Sequence, residues 1–455
     1  MTSWIHKKGM VHLKLDCLTM RRAMTLLIAM TPASGMVGRS GLFTGFGLAI
    51  IAGFFAFYSD KDRRGIWPIA VNIKDPIILG FVLLLICIVL SAFAAEHPAR
   101  ALIMACRLAA LVLVVLLFVQ QWSLDVSGTA FAKAFILSVI IFGTIALTQF
   151  VLTLDAILPE LGKSSANIAV CLLLCCGWII WQAKGTTRLL AILAALILLM
   201  VTSQFAGWLH QPNPSKSALL GFGFSAALWP VILMVWWLKP GTRSVVLAAG
   251  MVMIVVVLIG VPVLRLDPIE AWPAFIRYEE VRSLIPVIDM HREAIWTKIV
   301  SLLGQTPFFG IGASQLRFID PEEGFFASYV PQTVIESVSY DRWIFVEFIP
   351  THPHHLMLEM LVELGWPGLL AGLLIIILFL RQGTRLPRDL ALVYFPVFAC
   401  IMGCWLFSFS LWSSWWHVFI LSLFICIQKG FTRLYQASLY QASLHQASPG
   451  EIPKS

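Results

Sequence analysis

The sequence predicts an all-α integral membrane protein of about twelve transmembrane helices, with one large external loop before the tenth. Three observations predict it. Apolar runs long enough to cross a hydrocarbon core of roughly 30 Å recur along nearly the whole chain. Basic residues flank those runs on alternate sides. Hydrophobic residues make up 59% of the 455 and charged ones only 12%, a balance that excludes a soluble domain.

Taken in order, the apolar segments are 23–38, 41–58, 77–95, 101–120, 129–152, 166–183, 188–206, 217–238 and 244–266, then 354–380, 389–409 and 412–428. The chain therefore divides into a basic N-terminus (1–22), helices one to nine (23–266), a loop domain (267–353), helices ten to twelve (354–428) and a low-complexity tail (429–455). In the tail, Leu-Tyr-Gln-Ala-Ser occurs twice and Leu-His-Gln-Ala-Ser once between 434 and 448. Three copies of five residues are too short for a solenoid, so a disordered tail is expected.

Placing the N-terminus in the cytoplasm puts most of the 32 basic residues on the cytoplasmic face, among them Arg21, Arg22, Arg63, Arg64, Lys184, Lys239, Arg381, Arg385 and Lys429. The short external loops then carry only Arg39, Arg100, Lys163 and Lys216. That is the pattern of cytoplasmic retention of Lys and Arg. It accounts for the net charge of +8 without nucleic acid, because the charges sit at membrane edges and not along one groove. The basic start followed by further spans reads as a signal anchor.

Nine cysteines are present, and all but Cys17 fall inside apolar spans. Cys175-Cys176 and the Cys400-x3-Cys404 pair could be read as ligands, but small lipid-compatible thiols in helices are ordinary filler, and no metal is expected.

The loop 267–353 carries twice as many acidic as basic residues, and an insertion of that length between spans is usually functional. Within it, residues 286–304 read as a helix. Asp289 is placed to cap it, Ile288, Ile295, Trp296, Ile299, Leu302 and Leu303 make an apolar face, Arg292 lies on the first turn, and Gly304 and Pro307 end it. A glycine turn follows at 308–313, and 314–350 is mixed. Its aromatic residues, Phe325, Phe326, Trp343 and Phe348 among them, suit a cap resting on the membrane surface.

The chemistry concentrates at 351–368, Thr-His-Pro-His-His-Leu-Met-Leu-Glu-Met-Leu-Val-Glu-Leu-Gly-Trp-Pro-Gly. With Pro353 ending the loop, His354 is expected in the first turn of helix ten, beside free N–H groups that attract anions and favour the neutral imidazole. His355, Glu359 and Glu363 then share another face. Gly365 and Gly368 permit close packing, and Pro367 frees the carbonyl of Glu363, which predicts a bend or a water site. On residue types alone, the histidines could equally be solvated and the glutamates paired with basic groups.

The motifs themselves resemble those of the O-antigen ligase and O-antigen polymerase superfamily. The matching residues are His352-Pro-His354, Leu358, Leu361, Glu363-Leu-Gly365 and Gly368, preceded in the loop by Arg292, Ile295-Trp296 and the Pro-Phe-Phe-Gly-Ile-Gly run at 307–312. Two fainter echoes lie upstream, Gly162-x4-Asn167-x-Ala169 and Ser215-Lys216-Ser217-Ala218. This chain departs from the family twice: Lys216 stands where an arginine is usual, and His355 where an asparagine is usual.

The resemblance implies a GT-C-like helical glycosyltransferase in the inner membrane of a Gram-negative bacterium, with its large loop and active site facing the periplasm. It implies transfer of a glycan from an undecaprenyl diphosphate donor, with no nucleotide sugar, cofactor or metal, to the lipid A core (ligase) or to another repeat unit (polymerase). The partners are those two substrates and the membrane lipids. His354 is then the group that activates or orients the acceptor, and Arg292 grips the pyrophosphate through its planar fork. Lys216 and Arg107 are further pyrophosphate candidates; the first could equally be a flanking lysine, and the second could instead snorkel. His352, His355, Glu363, Gly365 and Gly368 support the motif. A transporter or flippase is the competing class, and would predict broken helices in two corresponding halves. No duplication is visible, and the compact length and single late loop favour ligase over polymerase.

Overall fold

The structure, a computed structural model, describes residues 17–59, 76–121, 126–152, 159–205, 216–263, 295–296, 299–300, 302–304, 306–319, 325–335, 338–347 and 352–446. Each predicted span is a helix: α1 Cys17–Ser34, α2 Arg39–Ser59, α3 Pro76–Ser91, α4 Pro98–Gln121, α5 Gly128–Leu152, α6 Pro159–Gln182, α7 Gly185–Phe205, α8 Lys216–Val235, α9 Pro240–Val263, α10 Leu356–Thr384, α11 Arg388–Ser408 and α12 Ser414–Ile425. Among the described residues ten helices are long and apolar enough to cross a membrane, α12 being counted with its continuation. Residues 325–335 and 338–347, in the stretch left mixed by the sequence, pair as an antiparallel hairpin.

Helices α10 to α12 form the centre of the bundle. In α11 the buried residues run almost unbroken from Leu390 to Cys404, whereas α9 exposes Val245, Val252, Met253, Val256 and Val257, as a helix facing hydrocarbon does. Close approaches rest on glycine. At the α8–α11 crossing, a Cβ on Gly221 would meet the Cys400 carbonyl at 2.8 Å, and one on Gly403 would meet Gly221 Cα at 2.8 Å. Small residues let backbones meet where lipid provides no hydrophobic drive for association.

The turns predicted to be external meet at one end. His97 N–H donates to Gln315 Oε1 (3.0 Å), Ser165 Oγ to the Met36 carbonyl (2.6 Å), and His352 Nε2 lies 3.1 Å from the Ser408 carbonyl. Those predicted to be cytoplasmic meet at the other end, where Trp178 Nε1 donates to the Asp389 carbonyl (2.7 Å) and the Ser244 and Thr384 hydroxyls lie 2.8 Å apart.

The tail corrects an expectation of disorder. A π-turn at Cys426–Phe431 leads directly into a helix, α13, Thr432–Gln446. The fivefold repeat hides a helical stripe, because Leu434 and Ser438 are four residues apart and share a face. That face has a partner: Leu434 is buried, Arg433 Nη1 donates to the Val126 carbonyl (3.3 Å) and Ser438 Oγ to Gln182 Oε1 (3.2 Å).

Candidate functional site

Helix α10 starts two residues later than the sequence suggested. Leu356 is its first residue and His355 its N-cap. His354 therefore lies before the helix and not in its first turn, with φ at +51°. Among the described residues only His354 and Ser314 hold positive φ without being glycine, and both sit at this end of the bundle. Such backbone strain costs on the order of 1–3 kcal/mol and concentrates at functional sites.

The cap explains one departure from the family. His355 Nδ1 accepts the Leu358 N–H (3.3 Å) while Nε2 lies 3.2 Å from the Leu258 carbonyl. A carbonyl only accepts, so Nε2 carries the proton and the ring is neutral. Burial holds its pKa down to about 4 against the opposing hydrogen bonds. An asparagine carbonyl would cap the same helix. His355 is thus structural.

Further along, Glu363 and Glu359 form no salt bridge with a basic side chain among the described residues, and their oxygens are taken by other donors. Glu359 Oε2 accepts the Leu411 N–H (2.8 Å) and its Oε1 the Ser410 hydroxyl. Glu363 accepts the backbone N–H groups of Ser314 (2.9 Å) and Leu316 (3.0 Å), and the Trp412 indole N–H. Buried carboxylates need such donors. One turn apart on a single helix, they hold two loops, 314–316 and the α11–α12 turn.

The expected bend is present. Gly365 has φ +66° and ψ −169°, and Pro367 follows. The freed carbonyls are taken by the glycine turn of the loop: Ile311 N–H donates to Val362 O and Gly312 N–H to Glu363 O, both at 2.9 Å. The Pro-Phe-Phe-Gly-Ile-Gly and Glu-Leu-Gly motifs thus form one docked unit. Residues 295–296, 299–300 and 302–303 are helical. Ile295 and Ile299 pack on Leu358 and Val362, and Trp296 Nε1 donates to the Pro353 carbonyl (3.0 Å). Arg292 and Asp289 lie outside the described residues.

Beside these elements lies a cavity of about 1420 Å³, walled mainly by α2, α3, α4 and α10 to α12. His352 and His354, whose rings lie 4.2 Å apart, face it together with Arg39, Arg107 and Arg317. Trp405, Trp412 and Trp415 also line it, and Arg39 stands 5.5 Å over the ring of Trp415. Other walls are apolar, including Phe46, Phe81, Leu111, Phe379 and Phe424. The cavity is thus amphiphilic, cationic in one region and greasy in another.

Arg107 lies on the cavity, as the cost of an intramembrane arginine suggested. Arg39, Arg317 and the tryptophans were missed; a basic residue just past the glycine turn was the one available signal. The upstream echoes meet, since Ser217 Oγ donates to Asn167 Oδ1 (3.0 Å) and both are buried. Lys216 is the first residue of α8, and its side chain lies outside what the structure describes. The sulfurs of Cys171, Cys400 and Cys404 lie within 4.8 Å of one another. This cluster joins Cys171, and not Cys175 or Cys176, to the α11 pair, and none of the three lines the cavity.

The fold and cavity define a multi-pass membrane protein with histidine and arginine side chains on the wall of an amphiphilic cavity. The family likeness is independently supported: residues 213–373, which include every motif residue from Lys216 to Gly368, match the family described as O-antigen ligase. A curated relative from Rickettsia conorii, named "Putative polysaccharide ligase", is 23% identical over 129 residues, a stretch covering 28% of this chain and 28% of the relative's length. No solved structure matches.

Proposed function

We propose that this chain is an O-antigen ligase that moves a polysaccharide from undecaprenyl diphosphate to the lipid A core, in lipopolysaccharide biosynthesis. One observation carries the reading: a single cavity joins His352 and His354 to arginines and to apolar walls, which suits a substrate with a sugar, a diphosphate and a polyprenyl chain. The basic-residue pattern favours a periplasm-facing site in a Gram-negative inner membrane, and the helical architecture suits a GT-C-like enzyme. The relative's name favours ligase over polymerase.

In this reading the acceptor hydroxyl forms a bond to the anomeric carbon as the bond from that carbon to the diphosphate oxygen breaks. Undecaprenyl diphosphate leaves with the electron pair. His354 takes or guides the hydroxyl proton, while Arg292, Arg107 and Lys216 balance the charge growing on the diphosphate. The tryptophans offer flat faces to sugar rings. The reaction asks for no nucleotide sugar, cofactor or metal.

The test is deletion in the native host followed by gel analysis of surface glycan. Loss of polymer from the lipid A core with polymer retained on the carrier is the expected result. Single repeat units on the core would instead make the protein a polymerase, and unaltered glycan with defective export would make it a transporter.

A further inference from the structure

Arg317 is a side chain the family motifs do not name, yet the fold holds it at a fixed place. It is exposed on the single helical turn Leu316–Phe318, between buried Leu316 and half-buried Phe318. Every neighbouring residue is tied down. Ser314 and Leu316 give their N–H groups to Glu363. Gln315 exchanges hydrogen bonds with the backbone of His97 (3.0 and 3.2 Å). Arg100 Nε donates to Ser314 Oγ (3.2 Å) and its guanidinium covers the Phe318 ring at 5.2 Å. Within residues 314–318 the remaining side chain, Arg317, is directed at the cavity.

Among the described residues no carboxylate is in salt-bridge contact with Arg317, and the acidic groups that feel its charge do so at longer range. The two carboxylates within its electrostatic reach, Glu359 and Glu363, spend their oxygens on the donors named above. Because Arg317 is exposed on the cavity wall, its guanidinium is open to an anion that enters the chamber. Arg107 and Arg39 face the same chamber, so the anion that fits is one with charge on more than one centre.

We propose that Arg317 binds the diphosphate of the lipid-linked donor, and that Glu363 is the positioning residue that presents it. This rests on the lipid-linked-glycan reading above. The guanidinium fork binds two oxygens of one phosphate, and with Arg39 and Arg107 on the same cavity wall a second phosphate is also met by a cation, so the site favours a diphosphate over a monophosphate carrier.

The experiment uses the full-length protein in nanodiscs, titrated with undecaprenyl diphosphate and undecaprenyl monophosphate and read by native mass spectrometry. Wild type should prefer the diphosphate. Arg317→Gln should lose about tenfold or more in diphosphate affinity, with a smaller change for the monophosphate. Arg317→Gln with the wild-type preference overturns the proposal and leaves the ligase reading standing. A wild type that takes neither lipid overturns that reading and this proposal with it. Should the Gln variant not fold, Arg317→Lys carries the same test, because it keeps the charge and loses the fork: a reduced preference supports the proposal and an unchanged one overturns it. Glu363→Gln should weaken the preference in wild type but add nothing on top of Arg317→Gln; an additive loss removes Glu363's part.

Discussion

Gly365 and Gly310 press backbone against backbone, and both hold positive φ, +66° and +76°. A Cβ on Gly365 would collide with the Phe308 carbonyl and reach within 2.8 Å of the Gly310 nitrogen; one on Gly310 would strike the Glu363 carbonyl. The contact fastens the loop to the broken helix and so sets the height of every residue between 311 and 318 relative to His354.

Gly365→Ala should therefore destabilise by on the order of 3 kcal/mol or more, combining a backbone region reserved for glycine with an overlap that neither loop can relieve. The melting temperature of the purified protein checks this. A Gly368→Ala comparison is informative, because Gly368 is helical and its added Cβ would meet mainly the side chain of Leu364. Equal melting of wild type and Gly365→Ala would show that the loop docks by other means.

Glu363 is the second fastening. Glu363→Ala strands two backbone N–H groups and an indole N–H in a buried place, and should cost about 2–4 kcal/mol. Glu363→Gln keeps one carbonyl acceptor and should cost roughly half of that. Melting curves of the two variants side by side give the order; Ala no worse than Gln would mean that the donors find other acceptors.

The His355 cap makes a pH prediction. Its pKa is held at about 4 in the folded chain against an ordinary value of 6.5. Above pH 6.5 both states are neutral and the residue adds no pH dependence. As pH falls from 6.5 towards 4 the unfolded state takes up a proton that the folded state refuses, so stability declines by up to about 1.4 kcal/mol per pH unit. His355→Asn keeps a capping acceptor and removes the titration. Between pH 7.5 and 4.5 the melting temperature of wild type should fall further than that of the variant, and parallel curves would refute the assignment.

Much of this site was legible because its residue types are constrained by backbone. Gly310, Gly312, Gly365 and Pro367 announce a turn and a broken helix wherever they occur, and the apolar face at 295–303 announces its own packing. What could not be read is pairing between distant segments. Glu359 and Glu363 look alike on a helical wheel, and only the fold shows that one holds 410–411 and the other 314–316. His354 was misplaced by two residues because a histidine side chain, unlike Ser or Asp, is seldom a cap, so the helix start was set at the proline. The tail was misjudged because its period of five concealed a docking stripe whose partner, around Gly128, lies three hundred residues away.

The thiol cluster motivates a fourth measurement. Cys171, Cys400 and Cys404 offer three sulfurs in one buried spot, and none reaches the cavity. Under the proposed function, glycan transfer by the purified protein should be unchanged by a membrane-permeant chelator. Strong inhibition restored by adding back a metal ion would contradict the metal-free proposal and point to these sulfurs.

The sharpest test concerns His354 itself. Alanine would remove the imidazole but fit its φ of +51° poorly, so loss of activity could reflect a moved backbone. Asparagine tolerates the left-handed region better than other non-glycine residues and lacks a proton acceptor of comparable basicity. His354→Asn should insert at wild-type levels and melt within about 1 kcal/mol of wild type, while transfer falls by about a hundredfold or more. His352→Asn should retain more activity, because the His352 ring is already committed to the Ser408 carbonyl. Glycan transfer at the wild-type rate by a folded His354→Asn protein would remove the imidazole from the mechanism and leave the cavity's cations as its remaining chemistry.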